Sequence, residues 1–244
     1  MPPLPRLSRI RAAVVVLTER LGPRLALGLL AAAGVALLLA GLADEVRDGE
    51  VQPLDDAVHS VLRDVSSPRA TEVLRVLTDL GSGWVLTPAT IVCAFGFLAR
   101  RRIRGAVLLS VTMLGVAALD WMLKLTFARD RPSPFFGDAV PDSYSFPSGH
   151  ALAAFCFWGV LAALLAVRVR SRAVRVVIWT AAAVVILAVG FSRVYLGVHY
   201  ATDVVAGFGV GFIWVLTVAS ADRMLRGGDR AGARGAPAAE PPPA

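Results

Sequence analysis

Apolar residues fall along this chain in six blocks: Leu25–Leu42, Val85–Ala99, Gly105–Leu123, Ala151–Val167, Val174–Phe191 and Val204–Ala221. The second block extends back towards Gly81. A helix needs about 20 residues to cross a hydrocarbon core, so each block predicts a membrane-spanning helix. The first is long enough, and its arginine-bearing leader extended enough, to read as a retained helix rather than a cleaved signal. Between the first two blocks the pattern changes. Ala43–Leu80 carries nine acidic residues, and its apolar positions recur at helical spacing: Leu54, Val58, Val61, Leu62 and Val65, then Val73, Leu74 and Leu77 after Ser66-Ser67-Pro68. That periodicity predicts two short amphipathic helices lying on a membrane surface. The expected fold is all-α, a six-transmembrane-helix bundle with short amphipathic helices on its outer surface. Its expected divisions are a basic N-terminus over 1–24, a membrane domain over 25–221 containing the amphipathic segment 43–80, and a tail over 222–244. The tail is rich in Gly, Ala and Pro and is expected to be disordered.

Composition agrees with this reading. The chain of 244 residues is 56% hydrophobic and only 18% charged, and its mean hydropathy is +0.65, which excludes an ordinary soluble domain. The net charge of +7 invites a nucleic-acid reading, but its distribution excludes one. Seventeen of the 25 Lys and Arg residues fall on one side of a six-span arrangement: the segment up to Arg24, Arg100–Arg104, Arg168–Arg175 and Arg223–Arg234. Positive charge collects on the cytoplasmic side of membrane proteins. Both termini are therefore expected in the cytoplasm, and the other loops on the outer face of a cell membrane. Cys93 and Cys156 lie inside predicted spans and read as small packing residues, with no disulfide framework.

The uncommon polar residues gather in two outer loops. Lys124 is the only lysine in the chain and stands seven residues before Arg131-Pro132. In a sequence that otherwise uses arginine, one lysine suggests a need for a compact ammonium rather than a planar fork. Pro147-Ser148-Gly149-His150 immediately precedes the fourth span, and Ser192-Arg193 stands before His199 and Asp203 at the junction of the fifth and sixth. Topology alone brings these three segments to one membrane face. Lys124, Arg131 and Arg193 form a triple cation suited to phosphate. Ser148 and Gly149 open a helix whose free N–H groups and dipole also favour an anion. His199 and Asp203 are one turn apart if the last helix begins near His199, which lets the carboxylate hold one imidazole nitrogen and leave the other free. His150 is a second imidazole, able to donate a proton. Asp120 lies one turn before Lys124 and is expected to pair with it. Arg129 and Asp130 either pair with each other or touch substrate. His59, on the first amphipathic helix, reads as a surface or packing histidine.

These segments, KLTFARDRP (124–132), PSGH (147–150) and SRVYLGVHYATD (192–203), resemble the three signature motifs of the type 2 phosphatidic acid phosphatase superfamily. The resemblance covers roughly Leu80 to Ala221, with no departure at the motif positions. It implies an integral-membrane enzyme hydrolysing a lipid phosphate or diphosphate through a phosphohistidine. His199 is then the nucleophile, Asp203 its orienting carboxylate and His150 the proton donor. Lys124, Arg131, Arg193, Ser148 and the Gly149 N–H hold the phosphate oxygens, with no metal or other cofactor. Opposite protonation states of the two histidines imply a bell-shaped pH–rate curve. A lipid phosphotransferase with the same nucleophile, a vanadate-dependent oxidase and a transporter remain alternatives at this point. Transporter sites usually lie nearer the bilayer midplane. The expected partners are a lipid substrate and the bilayer; the oligomeric state is open.

Overall fold

The computed structural model describes residues 23–136 and 142–235, and among them it contains helices and no strand. In chain order these are α1 Pro23–Asp48, α2 Gln52–Asp64, α3 Pro68–Thr78, α4 Gly83–Ala99, α5 Ile103–Phe127, α6 Gly149–Ala166, α7 Arg172–Tyr195 and α8 Ala201–Gly235, with a 3-10 turn at Asp79–Gly81. Five of them, α1, α5, α6, α7 and α8, are long and apolar enough to cross a membrane. A sixth candidate span is built differently. α3 with its 3-10 turn and α4 pass the same test only together, as two limbs bent by 46°. The break falls at Ser82, whose backbone is extended and whose hydroxyl donates to Asp79 O at 2.6 Å.

Local chemistry explains the helix boundaries. Ser67 has the extended backbone of an N-cap and accepts from the Ala70 N–H at 3.3 Å, and Pro68 occupies the first turn, where no N–H is needed. Ser171 caps α7 in the same way. α5 ends at Ala128, whose φ of 45° is left-handed and whose N–H closes back on Lys124 O at 2.9 Å. That conformation costs a residue with a β-carbon about 1–2 kcal/mol. It reverses the chain within one residue, and so brings Lys124 on the helix and Arg129 and Arg131 on the following loop to the same end of the bundle.

The central helix is α6, which packs against α4, α5, α7 and α8. Its alanines let neighbours approach closely: Ala151 and Ala154 are fully buried, and Leu152, Cys156 and Phe157 complete a core with Leu86, Leu109 and Val116. Trp158 reaches from α6 to donate to Leu80 O at 2.9 Å and so fastens the bend of the broken span. By contrast, α1 exposes Leu27, Leu37 and Leu38 and packs mainly along α8. A helix this apolar and this uncovered belongs in lipid.

The amphipathic helices exist, but they do more than cover a surface. On α2, Leu54, Val61 and Val65 are exposed, whereas Val58 and Leu62 pack on Ala151, Val194 and Val204. α3 packs on α7, where Leu74 meets Tyr195, Leu196 and Val198 and the Ser67 N–H donates to the Tyr195 hydroxyl at 2.8 Å. α8 continues as helix to Gly235, because alanine and arginine favour helix and Arg226 pairs with Asp222 one turn back at 2.8 Å. Residues 222–235 thus lie within α8. Residues 1–22 of the predicted N-terminal segment and 236–244 of the tail lie outside the described residues.

Candidate active site

The ends of α5 and α7 and the starts of α6 and α8 meet, and the three polar segments meet with them. α7 stops at Tyr195, and Gly197 takes a left-handed φ of 69°. The chain then folds back so that the Val198 and His199 N–H groups both reach Arg193 O at 3.2 Å. His199 therefore precedes α8 rather than opening it. Asp203 still reaches it, because its carboxylate turns back over the first turn of α8. Oδ2 accepts from the Tyr200 N–H at 2.9 Å and lies 3.3 Å from His199 Nδ1. The Ser145 hydroxyl donates to the same carboxylate oxygen and also lies 3.3 Å from Nδ1.

His199 is 1% exposed. Its other ring nitrogen, Nε2, lies 3.0 Å from Arg131 Nη1. A guanidinium can only donate, so Nε2 accepts and the ring proton is assigned to Nδ1, facing Asp203 and Ser145. Burial pushes the His199 pKa from 6.5 down to about 4; Asp203 opposes that shift and Arg131 adds to it. The ring is neutral at pH 7, and its lone pair points towards a guanidinium. Arg131 is itself fixed: Nε donates to Ser143 O at 2.6 Å, Nη1 to Val198 O at 2.8 Å, and Nη2 to Ser143 Oγ at 3.0 Å and Tyr144 O at 3.2 Å.

The α6 N-terminus lies alongside. The Ser148 N–H donates to Asp203 O at 2.9 Å, tying α6 to α8, and the buried Ser148 Oγ has no hydrogen-bond partner. Gly149 faces Asp120, and a β-carbon there would collide with the carboxylate. Asp120 in turn holds Lys124 Nζ at 3.0 Å, as the one-turn spacing predicts. Arg193 is buried and donates to Thr78 Oγ1 at 3.1 Å. His150 lies within electrostatic reach of Arg193, His199, Lys124 and Arg131. The eight predicted site residues thus share one neighbourhood. His59 lies against the loop that carries His199, its ring 4.1 Å from that of Phe135 and 6.3 Å from that of Tyr200.

The sequence reading missed a second layer. Arg129 does not pair with Asp130. It donates to Asp203 Oδ1 at 2.7 Å, Asp55 Oδ2 at 2.8 Å, Thr202 Oγ1 at 2.8 Å and Gln52 Oε1 at 3.0 Å, and it lies over the Tyr200 ring at 4.2 Å. Asp55 also accepts from the Thr202 N–H at 3.1 Å and the Thr202 hydroxyl at 2.5 Å. The side chains of Asp55 and Asp203 are fully buried and that of Arg129 nearly so. Removing one partner from such a buried group costs about 3–5 kcal/mol. A signal was available: Asp55 stands three residues before Val58 and seven before Leu62, on the buried face of α2. An acid on the inner face of an amphipathic helix needs a partner. Among the described residues, no group of three or more His, Cys, Asp or Glu side chains is arranged to hold a metal ion.

A multi-pass helical membrane protein whose helix ends gather two imidazoles, a buried carboxylate and three cations defines a class, the membrane-embedded hydrolases of phosphoric esters. The chain belongs to the PAP2 superfamily, whose family model matches residues 105–226. Phosphatidylglycerophosphatase B of Bacillus subtilis is 30% identical over 187 residues, covering 76% of this chain and 91% of that one. The crystal structure of a transmembrane PAP2-type phosphatidylglycerolphosphate phosphatase from Bacillus subtilis superposes with a TM-score of 0.72 at 30% identity, covering 79% of this chain and 96% of that one. An undecaprenyl-diphosphatase of Sulfolobus acidocaldarius is 29% identical over 140 residues, 55% of this chain and 62% of that one.

Proposed function

We propose that this protein hydrolyses a lipid phosphate or diphosphate at the outer face of a cell membrane, through a phosphohistidine formed on His199. The observation that carries this reading is the pair of contacts on the His199 ring. Nδ1 is backed by Asp203 and Ser145, and Nε2 lies 3.0 Å from Arg131, a cation that a phosphate oxygen would share. In the proposed reaction Nε2 attacks phosphorus in line as the ester oxygen departs. His150 gives that oxygen a proton and then takes one from the water that cleaves the N–P bond. Asp203 balances the positive charge on the phosphorylated imidazole through the Nδ1 proton. Lys124, Arg131, Arg193, Ser148 and the Gly149 N–H spread the charge of the equatorial oxygens, the task that divalent ions perform in many phosphoryl-transfer enzymes. A bound phosphate also brings His150 the negative charge that lets it carry a proton among four positive or potentially positive neighbours.

The arginine asymmetry between the two sides supports cytoplasmic termini and an outward-facing site. The relatives act, by their names, on phosphatidylglycerophosphate and undecaprenyl diphosphate, which supports a lipid substrate whose tail stays in the bilayer. The test is free-phosphate release by detergent-purified protein across phosphatidylglycerol phosphate, phosphatidic acid and an isoprenoid diphosphate. Vanadate is expected to inhibit by mimicking the trigonal-bipyramidal phosphorus, and EDTA to leave the rate unchanged. No release from any of these lipids overturns the proposal, strong EDTA sensitivity overturns its metal independence, and transfer to an added alcohol in place of release identifies a phosphotransferase.

The pH dependence has a definite sign. His199 must be neutral to attack, and its pKa in the free enzyme is lowered to about 4. Activity is therefore expected to persist as pH falls through 6.5 and to fail only near pH 4. The check is kcat/KM against pH, corrected for the substrate phosphate's own ionisation near pH ~6. A residual limb at pH ~6.5, the ordinary histidine value, contradicts the buried neutral nucleophile.

A further inference from the structure

Asp55 lies outside the region matched by the family model, on a short helix that crosses no membrane, yet its fully buried carboxylate is one contact away from the residue that supports the nucleophile. The chain of contacts runs Asp55, Arg129, Asp203, His199, through distances of 2.8, 2.7 and 3.3 Å. Its first three charges alternate, and it ends on the neutral imidazole. Two features distinguish this from ordinary packing. First, the Asp203 oxygens are divided: Oδ2 serves His199, Tyr200 and Ser145, whereas Oδ1 serves Arg129. Holding both oxygens fixes the rotation of the carboxylate about its bond and so fixes the direction in which it presents Oδ2 to the ring. Second, Arg129 alone would cancel the negative charge that Asp203 offers to His199. A guanidinium 2.7 Å away competes directly with an imidazole 3.3 Å away, and at low dielectric such interactions are strong. Asp55, held in place by the Thr202 N–H and hydroxyl at the first turn of α8, returns one negative charge to the group.

We infer that Asp55 is a positioning residue for the nucleophile: through Arg129 it fixes the carboxylate of Asp203 and preserves its charge, so that His199 is aimed and its developing positive charge balanced when the N–P bond forms. This rests on the proposed reaction at His199 and adds to it a residue from α2. Asp55 touches none of Lys124, Arg131, Arg193, Ser148 or Gly149 in the contacts described, so the effect falls on turnover rather than on binding of the phosphate.

The experiment compares wild type, Asp55→Asn and Asp55→Glu, each in detergent, by kcat, KM and Tm on a lipid phosphate that the wild type hydrolyses. Asp55→Asn keeps the side-chain shape and removes the charge. Its kcat is expected to fall about 10- to 100-fold, the scale of a misaimed reactive group, with KM held within about threefold, as for an interaction made in the transition state. Asp55→Glu keeps the charge and lengthens the side chain by one methylene. Its kcat is expected to fall as well, because the shifted carboxylate no longer holds Arg129 squarely against Asp203 Oδ1. A folded Asp55→Glu protein with wild-type kcat and a lowered Tm overturns the inference, since it would reduce Asp55 to a stabilising counterion. So does a folded Asp55→Asn protein with near-normal kcat, or one changed only in KM. If Asp55→Asn does not fold, Asp55→Glu decides by the same kcat criterion. Phosphate release by wild type with an unaffected Asp55→Asn sinks this inference alone; no release by wild type sinks the reaction and this inference together.

Discussion

His199→Ala is expected to reduce phosphate release on the order of 10⁴-fold or more, as loss of a nucleophile does where the remaining residues still bind substrate. The protein should stay folded. Asp203, although buried, keeps the Tyr200 N–H, the Ser145 hydroxyl and Arg129 when the imidazole is removed, so no carboxylate is left without a partner. The lost ring leaves a cavity beside α6 and α8 rather than an exposed seam. The measurement is free phosphate per enzyme over time, beside Tm and elution profile in detergent. A folded variant with near-normal turnover would remove His199 from the reaction, and with it the phosphohistidine. Should a lipid phosphotransferase be the right description, loss of transfer in the same variant would still implicate this ring.

The second large effect is expected at Arg131. Alanine there should lower kcat/KM about 10³-fold, the lower range for losing a transition-state arginine in phosphoryl transfer. Lysine should restore little. The reason lies in the fork geometry. Nε and Nη2 fasten Ser143 and Tyr144, and Nη1 bridges Val198 O and His199 Nε2. A lysine ammonium is a single point with one reach; it could meet the histidine or the loop, not both. Arg131→Ala thus removes a charge from the proposed phosphate site and releases the segment that positions Ser145 against Asp203. Steady-state kinetics on a lipid phosphate is the check, and a loss smaller than about tenfold would show that Arg131 orders the loop without meeting the transition state.

How much of this was readable in the sequence depends on the kind of signal. The spans of α5, α6, α7 and α8 announce themselves because lipid demands long apolar blocks, and the site residues at their ends follow from topology. The span of α4 was harder to read. Its partner limb, α3, carries charges and looks like a surface helix, and only Trp158 and the extended Ser82 turn them into one bent unit. The start of α8 lies near His199, as the one-turn spacing to Asp203 suggested, although the carboxylate reaches the ring by folding back over its own first turn. The Asp55–Arg129 pair was invisible for a plainer reason. Its members are 74 residues apart and on no common helix, so only the fold brings them together. Arg129 was expected to pair with Asp130 or to touch substrate, and an acid on the inner face of α2 was the one clue to its partner.

The chain's sole lysine does not wait in its pocket as a bare charge. Asp120 already holds it, wedged against Gly149 where no side chain fits. In the proposed reaction an arriving phosphate would share the ammonium with a resident rival, and a departing one would leave it to Asp120 alone. Such sharing would temper the grip on product, which suits a catalyst that must let inorganic phosphate go after every cycle.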